Sequence, residues 1–195
     1  TDTRSTAQRA RADQTWAYGH VIVDEAQELS PMEWRMVFRR CPSRWMTLVG
    51  DTAQTSSPAG VDDWTAALDP FVAGRYRLHE LTVNYRTPKE IMEVADAVLK
   101  RIDPDATPAE AIRSTGVPVR WIGEGEDERS VQKREGLEAV IDAGNVGDMK
   151  GLEFDHVTVR SPRKIVEASP QGWQDLYVAI TRATQTLTVV GELPE

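Results

Sequence analysis

With 195 residues, 40% of them hydrophobic and 28% charged, the chain has the composition of one folded domain or two small ones, not of a disordered segment. Its formal net charge is −8, with 9 Lys+Arg against 10 Asp+Glu over residues 1–77 and 14 against 21 beyond, which argues against a generic polyanion-binding domain. A single cysteine, Cys41, excludes an internal disulfide and a cysteine zinc cage, and no apolar run approaches the roughly 20 residues that span a bilayer.

The first sixteen residues carry no apolar stretch of the signal-peptide kind. With the lone cysteine, this fits a reducing cytoplasm. The histidines, His20, His79 and His156, have no metal-ligand spacing. Gln8, Arg9 and Arg11 offer a basic helix face or a solvated end.

Residues 18–23 read as a strand running into Asp24-Glu25. Ser30-Pro31 predicts a helix start, with Ser as N-cap and Pro in the first turn, and the helix runs to about Arg40. Residues 45–49 (WMTLV) predict a short buried strand closed by Gly50-Asp51, 56–60 a loop, and 62–68 a short helix. Another strand is expected over 76–83. Thr87-Pro88 then caps an amphipathic helix with Ile91, Val94, Ala95, Val98 and Leu99 on one face. Residues 103–116, rich in Pro and Ala, read as a linker. Strands follow at 117–122, 155–159 and 186–190, with a helix over about 173–184 before the last. Strands alternating with helices predict an α/β fold with a mostly parallel sheet. Residues 123–147 contain no convincing buried strand. They read as a long solvated segment, or as one with loop residues missing at Lys133-Arg134 and Gly144-Asn145.

Five motifs carry chemistry. VIVDEAQ places Asp24 and Glu25 at the carboxyl end of a strand, where α/β sheets bind ligands. There one carboxylate suits Mg²⁺ and the other a proton from an attacking water, or both simply cap a helix at the surface. VGDTAQ brings Gln54 to a second strand end, with Gly50 permitting a tight turn. VNYRTP offers Tyr85 for stacking and Arg86 as a rigid cationic fork, or an interfacial Tyr and a solvated Arg. GDMKGLEFD offers a flexible Gly151 and an acceptor, Glu153, for a ribose hydroxyl. LYVAITRAT reads as a helix with Leu176, Val178 and Ile180 on its apolar face and a polar Arg182 near its end.

In this order, DEAQ, GDTAQ, NYRTP, KGLEFD and YVAITRA resemble the ATPase motifs of superfamily 1 helicases of the UvrD/Rep type over residues 18–190. The resemblance implies a P-loop NTPase, RecA-like fold: the C-terminal part of a first RecA-like domain over 1–77 and a second RecA-like domain over 78–195. It implies an ATP hydrolase that couples ATP and Mg²⁺ to work on nucleic acid. Asp24 then matches the Mg²⁺ carboxylate and Glu25 the general base. Gln27 and Gln54 match phosphate-sensing positions, and Tyr85 matches the aromatic near the adenine. Arg86 and Arg182 match two arginines brought to the γ-phosphate, and Gly151 and Glu153 match backbone and ribose contacts. Arginines in that role contribute roughly 10³–10⁵ in rate.

Two departures stand out. The sequence contains no GxxxxGK[ST] loop, which the family needs to cradle phosphates, so the chain reads as part of a larger motor and as inactive alone. After GDTAQ the aromatic-rich run of DNA-translocating members is replaced by TSSPAGVDDW, with Trp64 later and suited to a core. The segments GDMKGLEFD and SPQGWQDLYVAITRA, with AQTSSPAG, resemble the HelD class. The partners implied are DNA, RNA polymerase, or both, with no membrane. Two alternatives remain: true DNA unwinding, or a nucleotide-insensitive docking module for RNA polymerase. The six tryptophans do not interleave with basic residues, which favours packing over base stacking.

Overall fold

The computed structural model describes residues 5–8, 16–55, 59–125 and 135–195. It divides into two compact units: residues 1–52 with 59–76, and residues 53–58 with 77–195. Both are mixed α/β, with parallel strands flanked by helices.

In unit 1, β1 (Val21–Val23) and β2 (Met46–Leu48) pair in parallel, with Val21 opposite Met46 and Val23 opposite Leu48. A parallel pair needs a crossover, and α1 (Pro31–Arg40) supplies it. Its start is a full capping box: Ser30 Oγ accepts from Glu33 N, and Glu33 Oε2 accepts from Ser30 N at 2.8 Å. Helix α2 (Trp64–Val72) is capped by Asp63, whose carboxylate accepts from Thr65 N and Ala66 N. The core gathers Ala26, Trp34, Val61, Leu68 and Val72, with Phe38 stacked on Phe71 at 4.4 Å between centroids. Trp64 packs against this core, as its position suggested. Ile22, Trp45 and Val49 remain largely exposed, so WMTLV, expected to be buried, is only half-buried, at Met46 and Leu48.

Unit 2 is larger. Strands β5 (Arg120–Ile122), β6 (Glu138–Ile141), β7 (Phe154–Arg160) and β8 (Ala183–Val190) form an all-parallel sheet in the order β5-β8-β7-β6. The inner strand β8 is buried along most of its length, as a strand covered on both faces must be. Helix α3 (Lys89–Ile102) lays Ile91, Met92, Ala95 and Val98 into the same core. It is joined there by α4 (Pro162–Ala168) and α5 (Gly172–Thr181), which contribute Ile165, Leu176, Ala179 and Ile180. A separate two-residue parallel pair joins β3 (Val83–Asn84) to β4 (Glu110–Ala111).

Several expectations change. The strand expected over 76–83 shrinks to β3, because Leu78 and Leu81 face solvent and 76–82 find no ladder partner among the described residues. The linker 103–116 contains β4. The segment 123–147 holds a strand after all: β6 is an edge strand, buried only at Ile141, so its apolar signal is weak. Gly144-Asn145 is a closed turn, with Asn145 Oδ1 accepting from Asp142 N and Asn145 Nδ2 donating to Val140 O. Lys133-Arg134, like Arg9 and Arg11, lies outside the described residues. Pro88, not the Thr87 side chain, stands at the α3 N-cap, and Thr87 is buried instead. Helix α5 stops at Thr181 rather than 184, because β8 begins at Ala183. Helix α4 was not anticipated.

Candidate functional site

In unit 1 the candidate residues lie at the carboxyl ends of β1 and β2. Beyond Val23 the chain turns sharply: Asp24 Oδ1 accepts from Glu25 N at 2.9 Å, and Ala26 N donates to Val49 O across the strands. Between those two bonds Glu25 adopts φ 51°, ψ 39°, the left-handed region that a glutamate rarely enters. Such a residue costs about 1–3 kcal/mol and persists where its surroundings over-determine it. The turn leaves both carboxylates at the surface, while Gln27, two residues on, is 1% exposed.

Gln27 ties the two motifs together. Its Nε2 donates to Glu25 Oε2 at 2.6 Å, and its Oε1 accepts from Asp51 N at 3.1 Å. Its backbone oxygen accepts from Val61 N. An amide side chain has both a donor and an acceptor, so Gln27 fits where an acid or a base would not. Gly50 does not have the positive φ that would make glycine a requirement of the turn. A Cβ there would stand 2.5 Å from Gln27 Oε1 and 2.9 Å from the Trp64 ring, so Gly50 is needed for space.

Unit 2 assembles the remaining residues. Gln54 belongs here, in the 3₁₀ turn Thr52–Gln54. Its backbone oxygen accepts from Lys150 Nζ at 2.9 Å and its Oε1 from Arg182 Nη2 at 3.2 Å. Arg182 is 9% exposed, so this polar residue is buried at the helix end. Its Nε donates to Val178 O, its Nη1 to Leu152 O at 3.3 Å, and its Nη2 also to Thr181 Oγ1. The backbone joins in, with Phe154 N donating to Arg182 O at 2.9 Å. The guanidinium therefore meets the carboxyl end of its own helix, whose carbonyls carry partial negative charge.

Arg86 is the opposite case. Its side chain is 78% exposed and pairs with Glu153 at 2.5 Å. Its backbone is pinned: Asn84 Oδ1 accepts from Arg86 N and Thr87 N, an Asx turn, and Arg113 Nη2 donates to Arg86 O and to Thr184 O. Tyr85 projects with 69% exposure. Gly151 has φ 71°, with open space where a Cβ would stand, so its glycine serves the backbone turn before Glu153. Unit 2 thus unites Gln54, Arg182, Gly151, Glu153 and Arg86, while Asp24, Glu25 and Gln27 cluster in unit 1.

Asn84, Arg113 and Lys150 escaped the sequence reading. Asn84 and Lys150 lie inside recognised motifs, but Arg113 acts from 27 residues away and leaves no local signal.

The comparisons agree with this architecture. The family model for the viral superfamily 1 RNA helicase core domain matches residues 2–191. The chain belongs to that family. Among solved structures, a crystal structure of arterivirus nonstructural protein 10 (helicase) superposes with TM-score 0.54 at 20% identity, covering 90% of this chain and 39% of that one. The same helicase in complex with DNA gives 0.54 at 20%, covering 91% and 40%. The helicase of PRRSV gives 0.56 at 16%, covering 87% and 34%. At these identities the likeness is one of fold, and the chain spans two-fifths or less of each solved helicase. No curated protein matches the chain. Superfamily 1 membership, read from motif order, therefore holds, and the matched model is its viral RNA helicase core. No described helix is long and apolar enough to cross a membrane.

Proposed function

We propose that the chain is a motor part of a superfamily 1 helicase: the tail of one RecA-like domain and a second RecA-like domain, which bind and hydrolyse ATP with Mg²⁺ to drive movement on nucleic acid. The observation that carries this reading is Gln27, buried and bonded both to Glu25 and to the backbone of the GDTAQ motif.

The residues present suit such a substrate. No cluster of three or more potential ligands occurs among the described residues, so no dedicated all-protein metal cage is indicated. Mg²⁺ is commonly held by one or two carboxylates plus the phosphates it arrives with, and exposed Asp24 at the end of β1 fits that use. When bound, the ion would neutralise charge on the phosphates. Glu25 takes the proton of the attacking water, and Gln27 holds its Oε2 in one orientation. Arg86 and Arg182 supply positive charge for the γ-phosphate, Tyr85 an aromatic face near the base, and Gly151 and Glu153 contacts to the ribose side. Gln54, bonded to Arg182, reports on the phosphate.

The substrate on which the motor acts has two readings. Nucleic acid is favoured by family membership and by the DNA complex of the arterivirus helicase. A HelD-like action on RNA polymerase is supported by TSSPAGVDDW and by Trp64, which packs against the unit 1 core instead of offering a stacking face. The deciding experiment joins this chain to a GxxxxGK[ST]-containing domain of the same motor. ATP turnover stimulated by single-stranded nucleic acid and abolished by Glu25→Gln is expected. Turnover that Glu25→Gln leaves intact overturns the reading. Unwinding of a forked duplex, against polymerase capture with the ATP site mutated, separates the two targets.

A further inference from the structure

Arg86 is clamped at its backbone and exposed at its side chain. Asn84 fixes its N–H, Arg113 fixes its carbonyl, and the guanidinium is exposed apart from its pairing with Glu153. Glu153 is itself placed by Arg182, because Leu152 O accepts from Arg182 Nη1 and Phe154 N donates to Arg182 O on either side of it. One carboxylate, set by the buried arginine, thus holds the exposed one.

We propose that Glu153 is a positioning residue for Arg86: it parks the guanidinium when no phosphate is bound, and an incoming polyphosphate must displace it. This rests on the reading of Arg86 as a phosphate-binding arginine, and it assigns Glu153 a task besides ribose contact. The physics is competition. A guanidinium fork bonds a carboxylate or a phosphate in the same bidentate manner, so one partner excludes the other. The pinned backbone confines the exchange to side-chain rotation. The exposed pair is weak enough to break, since such ion pairs contribute little net stability. The parked arginine is also kept from stray anions, which makes the response selective for a ligand dense in negative charge.

Inorganic triphosphate tests this, because it has no ribose. Calorimetric titration of the 195-residue chain with triphosphate should give about two- to fivefold tighter binding for Glu153→Gln than for the wild type, the span expected for release of an exposed ion pair. The gain should vanish when Glu153→Gln is made in an Arg86→Ala background. A second readout needs no ligand. The Arg86 guanidinium ¹⁵N–¹H resonance should be slowed in rotation in the wild type and released by Glu153→Gln. An unchanged resonance, or triphosphate binding that Glu153→Gln leaves equal or weaker, overturns the proposal. If the resonance responds but Arg86→Ala does not weaken triphosphate binding, Glu153 does position Arg86 while the phosphate-binding reading fails.

Discussion

At the residue scale the two motif arginines differ in kind. Arg86 is exposed and holds one carboxylate, whereas Arg182 is buried among carbonyl, hydroxyl and amide oxygens. Removing Arg182 takes away the hydrogen bonds that its buried guanidinium donates to Val178 O, Leu152 O and Gln54 Oε1, and hydrogen bonds to a charged group contribute about 1.5–3 kcal/mol. Arg182→Ala should therefore lower unfolding free energy by about 2–3 kcal/mol. Arg86→Ala should stay within about 0.5 kcal/mol, as exposed substitutions do. Urea melts of the two variants check this, and equal losses would contradict the burial argument. Gly50→Ala belongs to the same scale. Its Cβ would strike Gln27 Oε1 and the Trp64 ring, so a loss of about 1–3 kcal/mol is expected from overpacking. Gly50→Ala should also shift the Gln27 side-chain amide resonances. The sequence pointed to Gln27, Gln54, Arg86 and Arg182 through their motifs. It was silent on burial, because whether an arginine at a helix end is solvated depends on which distant carbonyls the fold brings to it.

At the element scale, the loop after β4 is stapled to the start of α3. Glu90, in the first turn of that helix, accepts from Ser114 Oγ, from Gly116 N at 2.8 Å and from Thr115 N at 3.3 Å. The Ser114 hydroxyl is the largest influence, and with the backbone N–H groups of Glu90 itself, Gly116 and Thr115 it holds the carboxyl at about 2, below its ordinary 4.5. A carboxylate depressed in the folded state adds stability that is fully present above about 4.5 and is lost as pH falls towards about 2. The urea midpoint should therefore drop over that window more steeply in the wild type than in Glu90→Gln. Parallel acid profiles would remove the staple. Elements with strong patterns were legible: α1 from Ser30-Pro31, α3 from its apolar face, and β7 and β8 from their β-branched runs. Those that failed had half their signal missing. Edge strand β6 buries only Ile141, and the two-residue β3 and β4 are too short for any period to register.

At the scale of the whole molecule, the proposed function assigns the chain a Mg²⁺ carboxylate, a general base and two arginines for nucleotide hydrolysis. Its 195 residues contain no GxxxxGK[ST], the motif whose backbone N–H groups and lysine surround the phosphates. In that reading Glu25 activates a water only if the phosphorus is held in line with it. Without a cradle the substrate samples many poses, and the effective molarity that positioning supplies is forfeited. The purified chain should therefore release phosphate from ATP at a rate near the buffer background. Joined to a domain that supplies the loop, it should turn over ATP, and turnover should fall by roughly 10²-fold or more in Arg86→Ala, as loss of an arginine at the γ-phosphate does. Arg86→Lys should recover only part of the rate, since a single ammonium cannot reproduce the fork. Arg86 is the cleaner probe than Arg182, because its substitution leaves the core intact and the kinetic loss can be read without a folding defect. Motor-like turnover by the 195 residues alone would mean that some other part of this chain cradles the phosphates, and Arg86→Ala activity equal to wild type in the joined protein would take Arg86 out of the chemistry.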